Sequence, residues 1–269
     1  EKHRQYCGQV VPLLRIPKRI YTNNEVFEGL VEISNYSQSD IINAEAEWFI
    51  KDQKGNEISR GSFNIANIQK SKISPLGKIA ATLERVKIPS KLTVTVSMKN
   101  TVFSNQWEIW VYPENKIVKK PEEIIIAHKL DDFIKLNLKK GKKVLFISDK
   151  FNPQVSMKGA YIPVFWSPIW FPNQKPNTMS ILCDPNHPLF SQFPSDSFSN
   201  WQWFDLLNNS NFIILNNPPL SYRPILQVID NFARNHKIGA IFEGRYGNAK
   251  ILICSIDLIG KLANNPAAR

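Results

Sequence analysis

The sequence predicts a multidomain protein in which a β-sandwich precedes an α/β domain with a mixed sheet. Three observations lead to this prediction. Residues 1–112 alternate apolar and polar side chains, residues 124–269 combine short apolar runs with helical spacing, and a charged stretch lies between them. Because strict alternation and continuous apolar runs are typical of different kinds of sheet, we expect two domains, 1–112 and 124–269, joined by a linker at 113–123.

The stretch "IINAEAEWFIKD" shows the pattern of the first domain most clearly. Every second residue is apolar, and these residues would share one face: Ile42, Ala44, Ala46, Trp48 and Ile50. The opposite face is polar, as in a half-buried antiparallel strand. We expect Trp48 to fill the core between two sheets.

Further strands complete the first domain. "KLTVTVSMK" and "QWEIWVY" alternate in the same way, and strands are expected near 11–16, 26–34, 57–64 and 77–85. The expected inward residues are Leu92, Val94, Val96 and Met98 in the first stretch and Trp107, Ile109 and Val111 in the second. About seven short strands in about 100 residues are typical of an immunoglobulin-like sandwich. Only Cys7 lies in this half, so the inter-sheet disulfide of antibody domains is not expected.

The second domain begins with a predicted βαβ unit. "EEIIIAH" predicts a strand, and "LDDFIKLNLKKG" predicts a helix with acidic residues in its first turn and Gly141 at its C-terminal cap. "KKVLFISD" is a continuous apolar run, as expected of a strand buried on both faces. Strand, helix and strand in this order predict parallel pairing.

The rest of the second domain is predicted to supply more strands. "FIILNN" and "YRPILQVIDNF" are strand candidates, and "IGAIFEGRYGNAKILICSID" predicts a hairpin with Gly247 and Asn248 at its tip. "ANNPAAR" is typical of a helix beginning, with Asn264 or Asn265 as N-cap and Pro266 in the first position. The absent initiator Met and this interrupted helix suggest that the 269 residues are part of a longer protein.

Composition excludes some function classes. The net charge is +11, but the basic residues are scattered and no nucleic-acid-binding motif is present, so we expect a solvated surface and no nucleic-acid partner. No apolar run approaches the roughly 20 residues that span a bilayer, so no membrane partner is expected. Three widely spaced cysteines allow either one disulfide or three buried thiols.

The candidate catalytic groups are weak. "CDPNH" brings Cys183 and His187 close in sequence, but Asp184 would raise the thiol pKa, and a structural turn explains the motif. Cys254 lies in an apolar strand and is expected to be buried and inert. Glu243 and Asp257 would have to approach each other across the hairpin to act as a glycosidase pair. We therefore predict no catalytic residue, no metal site and no cofactor in this chain.

Two tryptophan-rich stretches remain, "VFWSPIWF" and "SNWQWFDLL". They supply the candidate contact residues for a sugar or a neighbouring domain: Trp166, Trp170, Trp201 and Trp203. Exposed aromatic rings stack on flat ligands, whereas apolar, proline-broken segments also fill interfaces between domains. We expect Trp201 and Trp203 to differ, with one ring packed inward and the other available for contact.

Several quoted segments together resemble a known family. "YTNNEVFEGLVEISNYS", "AEAEWFIKDQKGNEISRGSF" and "NQWEIWVYPE" resemble an immunoglobulin-like domain of large bacterial glycoside hydrolases of family 2, which includes β-galactosidases, β-mannosidases and β-glucuronidases. "GAYIPVFWSPIWF", "MSILCDPNHPLFSQFPSDSFSNWQWFDLL" and "PILQVIDNFARNHKIGAIFEGRYGNAKILICSIDL" are similar to the C-terminal region of a Bacteroidetes subset of these enzymes, with a flavodoxin- or amidotransferase-like α/β domain.

The resemblance implies a non-catalytic accessory region of a periplasmic or extracellular carbohydrate-degrading enzyme. The family's catalytic glutamates lie on a TIM barrel, and no segment here has the eight βα repeats of a barrel, so the parent's catalytic residues are expected outside this chain. The implied partners are the catalytic domain of the parent enzyme, a polysaccharide or oligosaccharide, and a second copy in a homo-oligomer. Two alternatives are a carbohydrate-binding module that uses the tryptophans and an independent amidotransferase-like enzyme, which requires a reactive Cys183.

Overall fold

A computed structural model describes residues 2–114, 122–148, 150–161, 170, 178–208 and 210–269, without the side chains of residues 65 and 66. Most of the predicted linker, residues 115–121, lies outside the described residues. The chain divides into two compact units, Glu1–Lys116 with Gln192–Pro194, and Ile117–Ser191 with Ser195–Arg269. Both units are rich in β-strand, as the sequence predicts.

The first unit contains two sheets and one short helix. Its elements are α1 (Lys2–Tyr6), β1 (Val10–Arg15), β2 (Ile20–Thr22), β3 (Val26–Asn35), β4 (Ile41–Asp52), β5 (Glu57–Ile68), β6 (Lys72–Thr82), β7 (Ser90–Met98) and β8 (Ser104–Tyr112). One sheet has the order β1-β3-β6, and the other has the order β2-β8-β7-β4-β5. All pairs are antiparallel except β2 with β8.

The two sheets of the first unit share one hydrophobic core, so the unit is a β-sandwich. Residues of both sheets meet there, including Phe27, Val31, Ile79, Trp48, Leu92 and Ile109. Alternation places these side chains on the inner faces. The predicted inward residues of β7 are all buried, and Trp48 lies in the core.

Two side chains depart from the predicted alternation. Ile42 is 61% exposed, because Asn43 has a φ of 53° and the backbone turns there, so that Ile41 packs against the core instead. Trp110 is fully buried although it lies on the face of β8 opposite to Ile109. Its indole N–H donates to the carbonyl oxygen of Pro194, a residue of the same unit, over 3.1 Å.

The second unit is built on one mixed sheet. Its elements are β9 (Ile124–Ala127), α2 (Asp132–Lys139), β10 (Lys143–Ile147), β11 (Ser156–Lys158), β12 (Ser180–Cys183), α3 (Trp203–Leu207), β13 (Asn211–Ile214), β14 (Leu226–Ile229), β15 (Lys237–Tyr246) and β16 (Ala249–Cys254). The main order is β11-β13-β15-β16-β10-β9, and β14 joins β12 to β15. Among these strands of the described residues, the β9–β10 and β10–β16 pairs are parallel.

The predicted βαβ unit is confirmed, since β9 and β10 pair in parallel across α2. The helix begins where the Asp131 carboxylate accepts a hydrogen bond from the Ile134 amide over 2.9 Å. It ends before Gly141, whose φ of 80° is the left-handed conformation that glycine adopts readily. Ile134 and Leu138 pack on β10 and β16, whereas Phe133 is exposed.

The predicted hairpin is also confirmed. Strands β15 and β16 pair in antiparallel register, and Gly247 in the connecting turn has a φ of 59°. At the end of the chain Asn265 caps a single 3-10 turn, Pro266–Ala268, by accepting a hydrogen bond from the Ala267 amide. Proline at the first position of that turn agrees with the predicted start signal.

Candidate functional site

Three aromatic side chains of the second unit pack against one another at the surface, and we call them the aromatic cluster: Tyr161, Trp201 and Phe204. The ring centroid of Tyr161 lies 6.4 Å from that of Trp201 and 5.6 Å from that of Phe204. Trp201 and Phe204 are 5.9 Å apart and keep 41% and 40% of their surface exposed. The cluster therefore presents adjacent aromatic surface to solvent.

Helical geometry explains why the two neighbouring tryptophans differ. Trp201 precedes α3 by two residues and Phe204 lies three residues later, so both project from the same side. Trp203 projects to the opposite side and is 2% exposed. Its indole N–H donates to the Ser195 hydroxyl over 2.8 Å. The buried ring of Trp203 stabilises the unit, and the sugar or domain contact suggested for it is not available at its surface.

Hydrogen bonds hold the cluster in place. The Tyr161 amide donates to Asn208 Oδ1 over 2.9 Å, and residue 161 forms a β-bridge with Thr178. Burial raises the pKa of Tyr161, with a smaller opposing effect from a hydrogen bond to Ser199. The Tyr161 side chain is therefore uncharged, and the hydrogen bonds of its backbone hold its ring in place. Its contribution was missed from the sequence because Tyr161 and Trp201 are 40 positions apart.

The other two predicted tryptophans have different outcomes. Trp166 lies outside the described residues. Trp170 is 81% exposed. Of the four tryptophans suggested from the sequence, Trp201 contacts two other aromatic rings at the surface, whereas the buried Trp203 packs against Phe190 with ring centroids 6.2 Å apart.

A second feature of this unit is a cleft of about 550 Å³, lined by residues 182–184, His187, 222–225, Gln227 and Glu243. Pairing of β12 with β14 and of β14 with β15 brings these distant segments together. The Tyr222 hydroxyl donates to the Glu243 carbonyl oxygen over 2.5 Å. Burial, followed by the Glu243 carboxylate, raises the pKa of Tyr222.

The thiol at this cleft is poorly suited to nucleophilic catalysis. Cys183 is 7% exposed, and its Sγ lies 3.4 Å from the Asp196 carbonyl oxygen. Burial raises the pKa of Cys183; a hydrogen bond with Ser195 opposes this effect, and the carboxylates of Asp184 and Asp196 add to it. The Nδ1 of His187 accepts a hydrogen bond from the Leu189 amide over 3.2 Å, which is a structural capping role. These contacts favour the thiol over the thiolate that catalysis requires.

The remaining candidate groups are also separated or structural. Glu243 pairs with Leu252 across the hairpin, whereas Asp257 lies beyond the end of β16 and accepts a hydrogen bond from the Gly260 amide. The structure therefore does not bring Glu243 and Asp257 together. His128 Nδ1 is within 3.0 Å of the Ile147 carbonyl oxygen. Cys254 is buried, and burial raises its pKa to about 11.

Neither a metal-ligand group nor a membrane-spanning helix is found among the described residues. Residues 2–114, 122–148, 150–161, 170, 178–208 and 210–269 contain no group of three or more histidine, cysteine or acidic residues placed to hold a metal ion. Within the same ranges, none of the helices has the length and apolar character needed to cross a membrane.

The sequence of the chain matches two known family models, one in each unit. Residues 125–269 match a domain of unknown function (DUF8487), and residues 25–113 match a domain of unknown function (DUF8488). The first match covers more than half of the 269 residues, so the chain belongs to the DUF8487 family. No curated protein matches the sequence.

Several solved structures show distant similarity. An alkylpurine DNA glycosylase, AlkC, of Pseudomonas fluorescens shares 9% identity over 39% of this chain and 31% of its own, with a TM-score of 0.31. A β-glucuronidase of glycoside hydrolase family 2 shares 11% sequence identity with this chain. The match covers 50% of this chain and 17% of the β-glucuronidase, with a TM-score of 0.28. The β-glucuronidase of Parabacteroides merdae also shares 11% sequence identity. Its match covers 51% of this chain and 21% of the β-glucuronidase, with a TM-score of 0.29. The match thus spans less than a third of each of these proteins.

Proposed function

We propose that this chain is a non-catalytic accessory region of a family 2-like glycoside hydrolase and that the aromatic cluster is its contact surface for carbohydrate. The exposed packing of Tyr161, Trp201 and Phe204 carries the proposal. Aromatic faces offer large, rigid apolar area, which suits the C–H face of a sugar ring. The catalytic domain of a parent enzyme is the proposed protein partner, and the periplasm or the extracellular space is the proposed location.

Strand order supports the finer description of the first unit as immunoglobulin-like. The first, third and sixth strands form one sheet, and the fourth, seventh and eighth lie together in the other. This division corresponds to the A-B-E and C-F-G grouping of that fold, with β2 and β5 as added edge strands. For the second unit, the parallel β9–α2–β10 unit next to β16 supports a degenerate amidotransferase-like sheet.

Surface exposure separates the cluster from an ordinary core. A buried aromatic group of this size would stabilise the fold alone, whereas Trp201 and Phe204 leave about two fifths of their surface in water at a hydrophobic cost. A solvent-facing aromatic patch on a soluble protein marks a binding surface. A carbohydrate is the ligand class that the resemblance to glycoside hydrolases favours.

The test is a titration of the whole chain with soluble oligosaccharides of glucose, xylose, mannose and galactose, followed by tryptophan fluorescence and calorimetry. We expect saturable quenching with at least one series. Trp201→Ala should weaken binding about tenfold or more, because loss of one stacked ring costs about 1–3 kcal/mol.

Phe198→Ala is the matched control, since Phe198 is 58% exposed and belongs to none of the ring pairs of the cluster. It should bind as the unchanged chain does. Quenching that persists in Trp201→Ala would contradict the proposal, and so would the failure of every oligosaccharide series to bind. Reaction of Cys183 with iodoacetamide at neutral pH, at the rate of an exposed thiol, would instead favour the amidotransferase-like alternative.

A further inference from the structure

We propose that the cleft between the 182–187 segment and the 222–225 segment binds an uncharged, hydroxyl-rich ligand of monosaccharide size. This site goes beyond the proposed function, because no residue of the aromatic cluster lines the cleft. Its volume of about 550 Å³ lies within the range of small-molecule sites.

One wall of the cleft is held rigidly by hydrogen bonds to main-chain oxygens. Lys237 Nζ donates to the carbonyl oxygens of Pro219 over 3.3 Å and of Tyr222 over 2.5 Å. The Arg223 guanidinium donates to the carbonyl oxygen of Leu220 in the same segment. The Tyr222 hydroxyl ties this wall to β15. A wall fixed in this way needs little ordering when a ligand binds, which favours affinity.

The opposite wall is a capped turn. The Asp184 carboxylate accepts a hydrogen bond from the Asn186 amide over 2.9 Å, and the Asp184 carbonyl oxygen accepts one from the His187 amide. Because His187 Nδ1 accepts from the Leu189 amide, the neutral ring carries its proton on Nε2. His187 lines the cleft, so this N–H is its candidate donor to a ligand.

The cleft is also lined by two polar side chains that have no hydrogen-bond or ion-pair partner among the described residues: the Gln227 amide and the exposed Glu243 carboxylate. The amide both donates and accepts, and the carboxylate accepts. Hydroxyl groups complement both, because each donates one hydrogen bond and accepts others. Leu182, Pro224 and the Tyr222 ring add apolar surface for the C–H face of a sugar.

Charge narrows the ligand class further. The carboxylates of Asp184 and Glu243 disfavour an anion, although the chain as a whole carries a net charge of +11. The Arg223 guanidinium and the His187 N–H are hydrogen-bond donors. A protonated amine has no lone pair, so it cannot accept hydrogen bonds from them. A neutral polyol satisfies the acidic acceptors and the basic donors together.

The experiment is ¹H–¹⁵N correlation NMR of the whole chain, titrated with methyl α-D-glucoside, methyl α-D-mannoside and methyl β-D-galactoside. At least one glycoside should shift the amide signals of 182–187 and 222–227 saturably. Glu243→Gln, which removes the charge and replaces one acceptor oxygen by an NH2 donor, should weaken that binding about tenfold, and Gln227→Met should weaken it similarly. Glu84→Gln, an exposed glutamate on the first unit, is the matched control and should leave the affinity unchanged.

Three results would overturn the inference. The first is that none of the three glycosides shifts the cleft signals. The second is binding that both cleft variants leave intact; if Trp201→Ala abolishes that binding, it belongs to the aromatic cluster, and the proposed function stands without the cleft. The third is saturation of the cleft by methylamine while the glycosides do not bind, which would make it a cation site.

Discussion

The two units build their sheets from strands of different length. In the first unit β4 and β5 run for 12 residues each, whereas in the second unit every strand except β15 has six residues or fewer. Long alternating strands fix their own register, because a slip by one residue would expose the apolar face. Short strands leave more of the chain in connecting segments, and both candidate sites of this protein lie mainly on such segments.

The Asp230–Arg234 ion pair of the second unit is more deeply buried than the Arg15–Glu32 pair of the first. Ion pairs of the first unit, such as Arg15 with Glu32, lie at the surface, where they contribute little to stability. In the second unit the Asp230 side chain is 1% exposed and accepts hydrogen bonds from the Arg234 guanidinium and from the amides of Asn231 and His236. These bonds fix the connection between β14 and β15. Buried polar groups hold irregular backbone in both units, since Asn35 of the first unit is fully buried and donates to the carbonyl oxygens of Ser39 and Ile68.

The largest expected loss of stability follows from removing the buried tryptophan of the second unit. Trp203→Ala should lower the free energy of unfolding of that unit by about 4 kcal/mol, because it removes a large buried ring and leaves a cavity. Trp201→Ala should cost no more than about 1 kcal/mol, since its ring is half-exposed. Urea unfolding followed by hydrogen exchange of peptides from each unit measures both. Equal losses for the two variants would contradict the assignment of one buried and one surface ring.

A glycine in a connecting segment tests whether the second unit is closely packed outside its strands. A Cβ added at Gly159 would lie 1.9 Å from the ring of Phe212, which is fully buried, so Gly159→Ala should destabilise the unit by about 3 kcal/mol. Gly244→Ala is the matched control, since the nearest atom to its Cβ is 3.4 Å away. Thermal unfolding monitored by circular dichroism compares them. Equal melting temperatures for the two variants would show that the Phe212 ring moves aside without loss of stability.

The smallest expected effect is a loss of stability at alkaline pH, which should begin at a lower pH in the second unit than in the first. Burial raises the pKa of Cys254 to about 11 from 9.0 and that of Tyr21, in the first unit, to about 12 from 10.0. Both groups are uncharged when protonated, so their stabilising effect is complete below the unfolded pKa and is lost as pH rises through the folded pKa. The second unit should therefore lose about 2 kcal/mol between pH 9 and 11, whereas the loss from Tyr21 in the first unit begins only near pH 10.0 and extends to about 12.

Hydrogen exchange of peptides from each unit, measured after brief exposure to each pH, follows this loss. Cys254→Ala removes this thiol and should reduce the pH dependence of the second unit in that interval, leaving the contributions of Cys183, Tyr161 and Tyr222, whose pKa values burial also raises. If the first unit weakens at lower pH than the second, or if Cys254→Ala leaves the curve unchanged, the thiol is not the group responsible.

Much of the local structure could be predicted from the sequence. Alternation in "IINAEAEWFIKD" and "KLTVTVSMK" identified strands and buried faces, because a period of two has one geometric meaning. The acidic first turn of "LDDFIKLNLKKG", Gly141 and Gly247 marked a helix start, a helix end and a hairpin turn, because each conformation has its preferred residues. The exceptions, Ile42 and Trp110, depend on a left-handed residue and on a contact distant in sequence.

The candidate sites were only partly predictable. Trp201 was identified because tryptophan is rare and the stretch around it is aromatic. Phe204 carried a usable signal, since it follows Trp201 at helical spacing. Tyr161, Tyr222 and Gln227 carried none, because strand pairing and loop packing bring them into place.

The sequence by itself determined the two kinds of strand pattern, the caps and the difference between the neighbouring tryptophans, because these follow from backbone periods of two and 3.6 residues. Only the tertiary structure decided which tryptophan is buried and which joins Tyr161 and Phe204. It also decided that Cys183 is a buried thiol beside a cleft and that Glu243 lies there rather than beside Asp257. The physical reason is that burial and proximity depend on contacts between segments far apart in the chain, which no local pattern records.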